Sequence, residues 1–146
     1  MTLLRTATLG AVCLLLTGAL VPASAQTVDP AKVTQQLDAK LARWQQRLKL
    51  QDWQISVAMV RRSELPPNTM GGIRWDKRKK TATIWVLDSS EYQLPFQAML
   101  DDMELTIVHE LVHLDLASLP RGQASRSSEE HAVNGIAQAL LGLDHK

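Results

Sequence analysis

The sequence predicts an α+β domain in which a small sheet of three or four strands packs on three helices. Apolar residues first recur with helical spacing, then β-branched and aromatic residues dominate residues 53–87, and helical patterning returns after residue 95. The chain has 146 residues, of which 45% are hydrophobic, and this suffices for one modest core. We therefore expect a single domain over residues 26–146, after a separate N-terminal segment.

That segment, residues 1–25, has the pattern of a cleaved signal peptide. Arg5 supplies a positive start, residues 9–20 are uncharged and apolar, and the small residues 23–25 form a cleavage site. We expect a mature chain that begins at Gln26. The uncharged stretch is also just long enough for a retained membrane anchor, but the cleavage site favours removal.

Charge and cysteine usage narrow the class of protein further. The chain has 16 Lys and Arg residues and 15 Asp and Glu residues. Arg5 is the only charged residue before Gln26, so the mature chain would have 15 of each and no net charge. A neutral domain argues against nucleic-acid binding. The single cysteine, Cys13, lies within the signal and follows Val12 rather than a small residue, which argues against a lipoprotein anchor. The sequence predicts a periplasmic or secreted protein without disulfides and without stable membrane insertion after cleavage.

The first predicted element is an amphipathic helix. Asp29 fits an N-cap and Pro30 the first helical position. Apolar residues then follow at spacings of four and three, at Val33, Leu37, Leu41, Trp44 and Leu48. This helix is predicted to run to about Leu50.

The strands and the remaining helices follow in order. Residues 53–59 alternate between apolar and polar, residues 61–72 form a loop, and residues 73–75 and 81–87 predict a β-hairpin. The charged run 76–80 fits a solvated turn, with a basic binding patch as the alternative. Two helices complete the chain. One starts between Pro95 and Asp101 and ends at Leu119, and the other runs from Ser127 or Ser128 to Leu141, closed by Gly142.

The chemistry is concentrated in His109-Glu110-Leu111-Val112-His113, an HExxH motif inside the second helix. The two histidines differ by about 40° around the helix axis, so both imidazoles can bind one zinc ion. Glu110, about 100° away from His109, is placed to hold a water molecule bound to the zinc. The motif therefore predicts a zinc site with a carboxylate base.

The flanking residues indicate how this helix is oriented. Leu105, Val112 and Leu116 flank the histidines, which predicts a buried site. On the far side we expect a narrow stripe of Glu104, Leu111 and Asp115, in which both carboxylates reach water.

A catalytic zinc usually has three protein ligands, so two histidines are incomplete. The extended HExxHxxGxxH pattern is absent, because Leu116 and Leu119 stand where its glycine and third histidine would be. The last helix instead offers Glu130 and Asn134, four residues apart on one face. Ser127 and Glu130 also fit a capping box, in which case Glu129 would be the third ligand.

HExxH followed by a helical ExxxN element resembles the gluzincin metallopeptidases, and the chain length resembles their compact relatives, the minigluzincins. The resemblance implies a zincin-like fold and a zinc metalloendopeptidase that acts on a peptide or protein substrate. It also implies that His109, His113 and Glu130 bind zinc and that Glu110 is the catalytic base. Asn134, where the family usually has aspartate, would orient a histidine but without a charge.

The resemblance covers roughly residues 53–142, in the order of their elements. Thr81–Leu87 precedes the active-site helix as the family's edge strand does, so it either pairs with an extended peptide or is an interior strand. The candidate donors to a tetrahedral oxyanion are Tyr92, His131, Arg121 and Arg126. An alternative function is a zinc-binding structural or adaptor domain of the cell envelope with little or no turnover. In a third interpretation, a helical interaction protein with a chance motif, two histidines would lie buried without a partner.

Overall fold

The computed structural model describes residues 28–119 and 126–144, and it confirms the α+β class. The elements are α1 (Pro30–Arg47), β1 (Gln54–Val60), β2 (Gly71–Asp76), β3 (Thr81–Leu87), α2 (Phe96–Leu116) and α3 (Arg126–Asp144). The predicted signal peptide and its cleavage site lie outside the described residues. None of the helices within the described part of the chain has the length and apolar character needed to cross a membrane.

The three strands form a mixed sheet in the order β1-β3-β2. β3 pairs in parallel with β1, where Ile55 lies opposite Ala82, and antiparallel with β2, where Ile73 lies opposite Ile84. The charged run 76–80 forms the hairpin connection between β2 and β3, as predicted, with Asp76 as the last residue of β2 and residues 77–80 as the turn. The alternative that β3 is an edge strand is wrong, because it is paired on both sides.

One face of the sheet packs on the helices, with α2 against β2 and β3 and α1 against β1. Alternate residues of β3 point into this core, so Ala82, Ile84 and Val86 are buried. α2 is the central element of the core and is buried on most of its circumference. The two motif histidines are only partly buried, on the side of α2 that faces α3.

The ends of the helices depart from the predictions in specific ways. α1 stops at Arg47 because Lys49 adopts a left-handed conformation and the Leu50 amide donates to the Gln45 carbonyl, as in a Schellman motif. α2 ends at Leu116 rather than Leu119, and α3 continues to Asp144. Gly142 therefore does not end the last helix.

The predicted solvent-facing stripe on α2 is wrong. Leu111 is completely buried, and Glu104 is 2% exposed. The Glu104 carboxylate accepts hydrogen bonds from Lys40, Arg43 and Trp44, all on α1. Burial acts to raise the pKa of Glu104, but these hydrogen bonds and the two cationic charges outweigh it and lower the pKa. Only Asp115, of the three stripe residues, is exposed.

β2 lies close along α2, and a glycine permits this approach. A Cβ atom at Gly71 would lie 2.3 Å from Thr106 Cγ2 and 2.5 Å from the Trp85 carbonyl oxygen. At the other end of β2, the Lys77 ammonium donates to the Ala117 carbonyl at the end of α2. β2 therefore follows the segment of α2 that carries both histidines.

Candidate metal centre

α2 and α3 pack antiparallel, which brings the motif histidines against the start of α3. His113 lies opposite Glu130, and His109 lies opposite Asn134 one turn away. The contact is formed because Val133 and Ala137 are buried against the core, which turns the Glu130 and Asn134 side of α3 toward α2. Residues from two helices thus meet at one point.

His109, His113 and Glu130 form a group that could hold a metal ion, since their candidate ligand atoms all lie within 4.8 Å of one another. The two Nε2 atoms are 3.1 Å apart; that of His109 lies 3.4 Å from Oε2 of Glu130, and that of His113 lies 3.4 Å from Oε1. A tetrahedral zinc ion with ligand distances of about 2.0–2.1 Å requires ligand atoms about 3.3–3.4 Å apart. The three side chains could therefore hold a metal ion, and two imidazoles with one carboxylate are a donor set that zinc accepts.

Each histidine also has a partner on its second ring nitrogen. The His109 Nδ1–H group donates to the Asn134 Oδ1 atom at 3.0 Å, which leaves the Nε2 lone pair directed at the group. The His113 Nδ1 atom lies 3.4 Å from the Glu129 Oε1 atom. Partners of this kind fix the orientation and tautomer of metal-binding imidazoles.

The two neighbouring glutamates therefore face different atoms of the same histidine. Glu130 faces Nε2 and Glu129 faces Nδ1, which favours Glu130 as the ligand. Ser127 lies inside α3, which begins at Arg126, so it is not in the N-cap position that a capping box with Glu130 needs. The position of Glu129 as a partner of His113 was not anticipated from the sequence. The signal was its place next to Glu130, about 100° further round the helix.

Glu110 is buried beside this group, with 8% of its surface exposed. Burial and the nearby charge of Glu130 raise its pKa to about 7. A carboxyl group with a pKa near neutrality is suited to accept and return a proton. Burial, together with the charge of His113, lowers the pKa of His109, so its imidazole is neutral at pH 7, the form that binds metals.

The candidate oxyanion donors are distributed unevenly around the site. The Tyr92 hydroxyl donates to the Asp102 carboxylate, two helical turns before His109, or about 10 Å along the axis. His131 and Arg126 are exposed on α3. Arg121 lies outside the described residues.

Comparison of the chain with protein-family models, with curated proteins and with solved structures gave no match. The chemistry of the site therefore rests on its own geometry. That geometry consists of three nitrogen and oxygen donors around one point, a buried carboxyl group beside them, and outer partners for both imidazoles.

Proposed function

We propose that the protein is an exported zinc-dependent metallopeptidase with a zincin-like fold. The observation that carries the proposal is the group of His109, His113 and Glu130, a donor set that zinc accepts with its ligand atoms within 4.8 Å of one another, beside the buried carboxyl of Glu110. Its export rests on the signal-peptide pattern of residues 1–25.

His109, His113 and Glu130 would hold the ion, and Asn134 and Glu129 would orient the imidazoles. When bound, zinc lowers the pKa of water to about 7 and polarises a substrate carbonyl. Glu110 accepts the proton of the attacking water and later delivers it to the leaving amine. Burial of Glu110 supports this role, because a carboxylate with few competing waters is the stronger base.

An extended peptide would reach the site along β2. Within the described sheet β2 pairs only with β3, so its outer edge offers backbone N–H and C=O groups to another strand. β2 runs beside the part of α2 that carries the histidines, as the approach of Gly71 to Thr106 shows. The proposed substrate edge is therefore β2 and not β3.

The alternative function is a zinc-binding structural or adaptor domain with little turnover. It is favoured by the engagement of Tyr92 with Asp102, which directs this hydroxyl away from the site. Under this alternative the ion stabilises the contact between α2 and α3, and Glu110 has no chemical role.

One experiment separates the two functions. Zinc content and cleavage of a peptide library are measured for the wild type, Glu110→Gln and Glu130→Ala. The peptidase predicts about one zinc per chain in the wild type and in Glu110→Gln, and much less in Glu130→Ala. It also predicts that Glu110→Gln lowers the cleavage rate about 100-fold or more.

Glu91→Gln is the matched control, because Glu91 is exposed and lies outside the site. It should keep both its zinc and its activity. Equal, low cleavage by the wild type and Glu110→Gln, with zinc retained in both, would support the adaptor. An absence of zinc in every variant would refute both functions.

A further inference from the structure

A groove of about 420 Å³ lies between the first half of α2 and the last half of α3. Its walls are largely apolar and include Leu94, Ala98, Leu105 and Leu141. Leu94 is about half exposed, so the groove is open to solvent at that end. A groove of this kind suits a long side chain with an apolar stem.

The groove begins one helical turn away from the candidate metal centre. Leu105 lies one helical turn before His109, and Gln138 lies one turn after Asn134, so each helix contributes the same face to both features. One turn of four residues is about 6 Å along the axis. A side chain next to a bond held at the metal centre is therefore within reach of the groove.

The polar end of the groove is acidic. Asp101 accepts a hydrogen bond from the Gln97 amide through Oδ1, and Asp102 accepts one from the Tyr92 hydroxyl through Oδ2. These neutral donors hold both carboxylates in place. Each uses one oxygen of its aspartate, and the other oxygen takes no part in these two hydrogen bonds.

Neither Asp101 nor Asp102 belongs to an ion pair found within the described residues. Four basic residues, Lys40, Arg43, Arg47 and Lys80, form ion pairs with Glu104, Asp144 and Asp52, and none of these pairs includes a groove aspartate. Glu104 also lines the groove, but Lys40 and Arg43 offset its charge from the side of α1. The net negative charge that faces the groove therefore comes from Asp101 and Asp102.

We propose that this groove is a specificity pocket that accepts a lysine or arginine side chain of the substrate, at a position next to the scissile bond. This inference rests on the proposed peptidase function and names its substrate class. The aliphatic stem packs on Leu105 and Leu141, and the cationic end reaches Asp101 and Asp102. Charge complementarity then selects basic residues over apolar residues of equal length.

The test compares two peptides that differ only in lysine or norleucine next to the cleaved bond. The zinc-loaded wild type should cleave the lysine peptide with a kcat/KM about fivefold higher, the upper range for a partly exposed ion pair. Asp101→Asn/Asp102→Asn should abolish this preference and leave cleavage of the norleucine peptide unchanged. Both asparagines still accept the bonds from Gln97 and Tyr92, so the fold is kept. Asp38→Asn, an exposed position on α1, is the matched control.

A binding assay distinguishes failure of this inference from failure of the peptidase. Calorimetry on zinc-loaded Glu110→Gln should show the lysine peptide bound about fivefold more tightly, with the difference lost when both aspartates are also replaced. That result, together with no cleavage of either peptide by the zinc-loaded wild type, would support the groove and refute the peptidase. Cleavage without a preference for lysine would overturn the groove alone. Equal binding of the two peptides, or no binding of either, would also overturn it.

Discussion

The buried carboxylate of Glu104 should be worth several kcal/mol to the fold, and this can be tested by replacing it with leucine. Glu104→Leu nearly preserves the volume but removes the acceptor for Lys40, Arg43 and Trp44. Because Glu104 lies on α2 and its partners on α1, the substitution acts on the contact between these two helices. It does not touch the candidate metal centre.

The structure sets the expected magnitude. Arg43 loses little, since it is 43% exposed and keeps Asp144 as a partner at 3.1 Å. Lys40, with 15% of its side chain exposed, is left as an uncompensated charge, and the buried Trp44 N–H loses its acceptor. Together these losses should lower the free energy of unfolding by about 3–5 kcal/mol, the cost of breaking a buried ion pair from one side.

Urea denaturation at pH 7 measures this difference, and a double variant tests its cause. If the cost comes from the unpaired ammonium of Lys40, then Lys40→Leu/Glu104→Leu should be about 2 kcal/mol more stable than Glu104→Leu. A double variant no more stable than the single one would refute the reasoning. The lowered pKa of Glu104 also predicts how this difference depends on pH. The carboxylate contributes its full stabilisation of the fold above its usual pKa of 4.5, and this stabilisation is lost as the pH falls below that value. The difference between wild type and Glu104→Leu should shrink in acid.

Three further predictions concern the site and its support. Gly71→Ala should lower the free energy of unfolding, measured in urea, by about 1–3 kcal/mol, because the added Cβ overlaps Thr106. Gly72→Ala is the control: its Cβ makes only an ordinary contact, so the free energy of unfolding should change little. In chelator-treated protein, Glu110→Gln and the wild type should have equal stability below pH 4.5, and above pH 7 the variant should be about 3 kcal/mol more stable. The reason is that burial raises the Glu110 pKa from 4.5 to about 7, so that only the wild type loses stability as the pH rises through this range. Chelator should lower the melting temperature of zinc-loaded wild type and leave that of Glu130→Ala unchanged. With free zinc at 100 times its Kd, the stability lost on chelation is about 2.7 kcal/mol.

The local elements were predictable because short-range patterning determines them. Helical spacing marked α1, alternation marked β1, and the HExxH spacing placed His109 and His113 on one face of α2. These properties depend on residues within one or two turns of each other. They are therefore present in the sequence before any tertiary contact is formed.

The sheet order and the partners of the charged residues were decided by tertiary packing. Both hairpin strands have alternating apolar residues, and only the parallel pairing of β1 with β3 makes β3 interior and leaves β2 at the edge. Glu104 likewise fits a solvent-facing stripe by its charge, but the basic residues of α1 meet it across the helix interface and stabilise it in a buried position.

The candidate site shows the same division on a smaller scale. The sequence by itself determined that two imidazoles share a helix face and that Glu130 and Asn134 share another. The antiparallel packing of α3 on α2 decided that Glu130 meets both Nε2 atoms while Glu129 meets Nδ1 of His113. The reason is that spacing along a helix specifies a direction around its own axis, whereas the distance between two helices depends on how their apolar faces fit together.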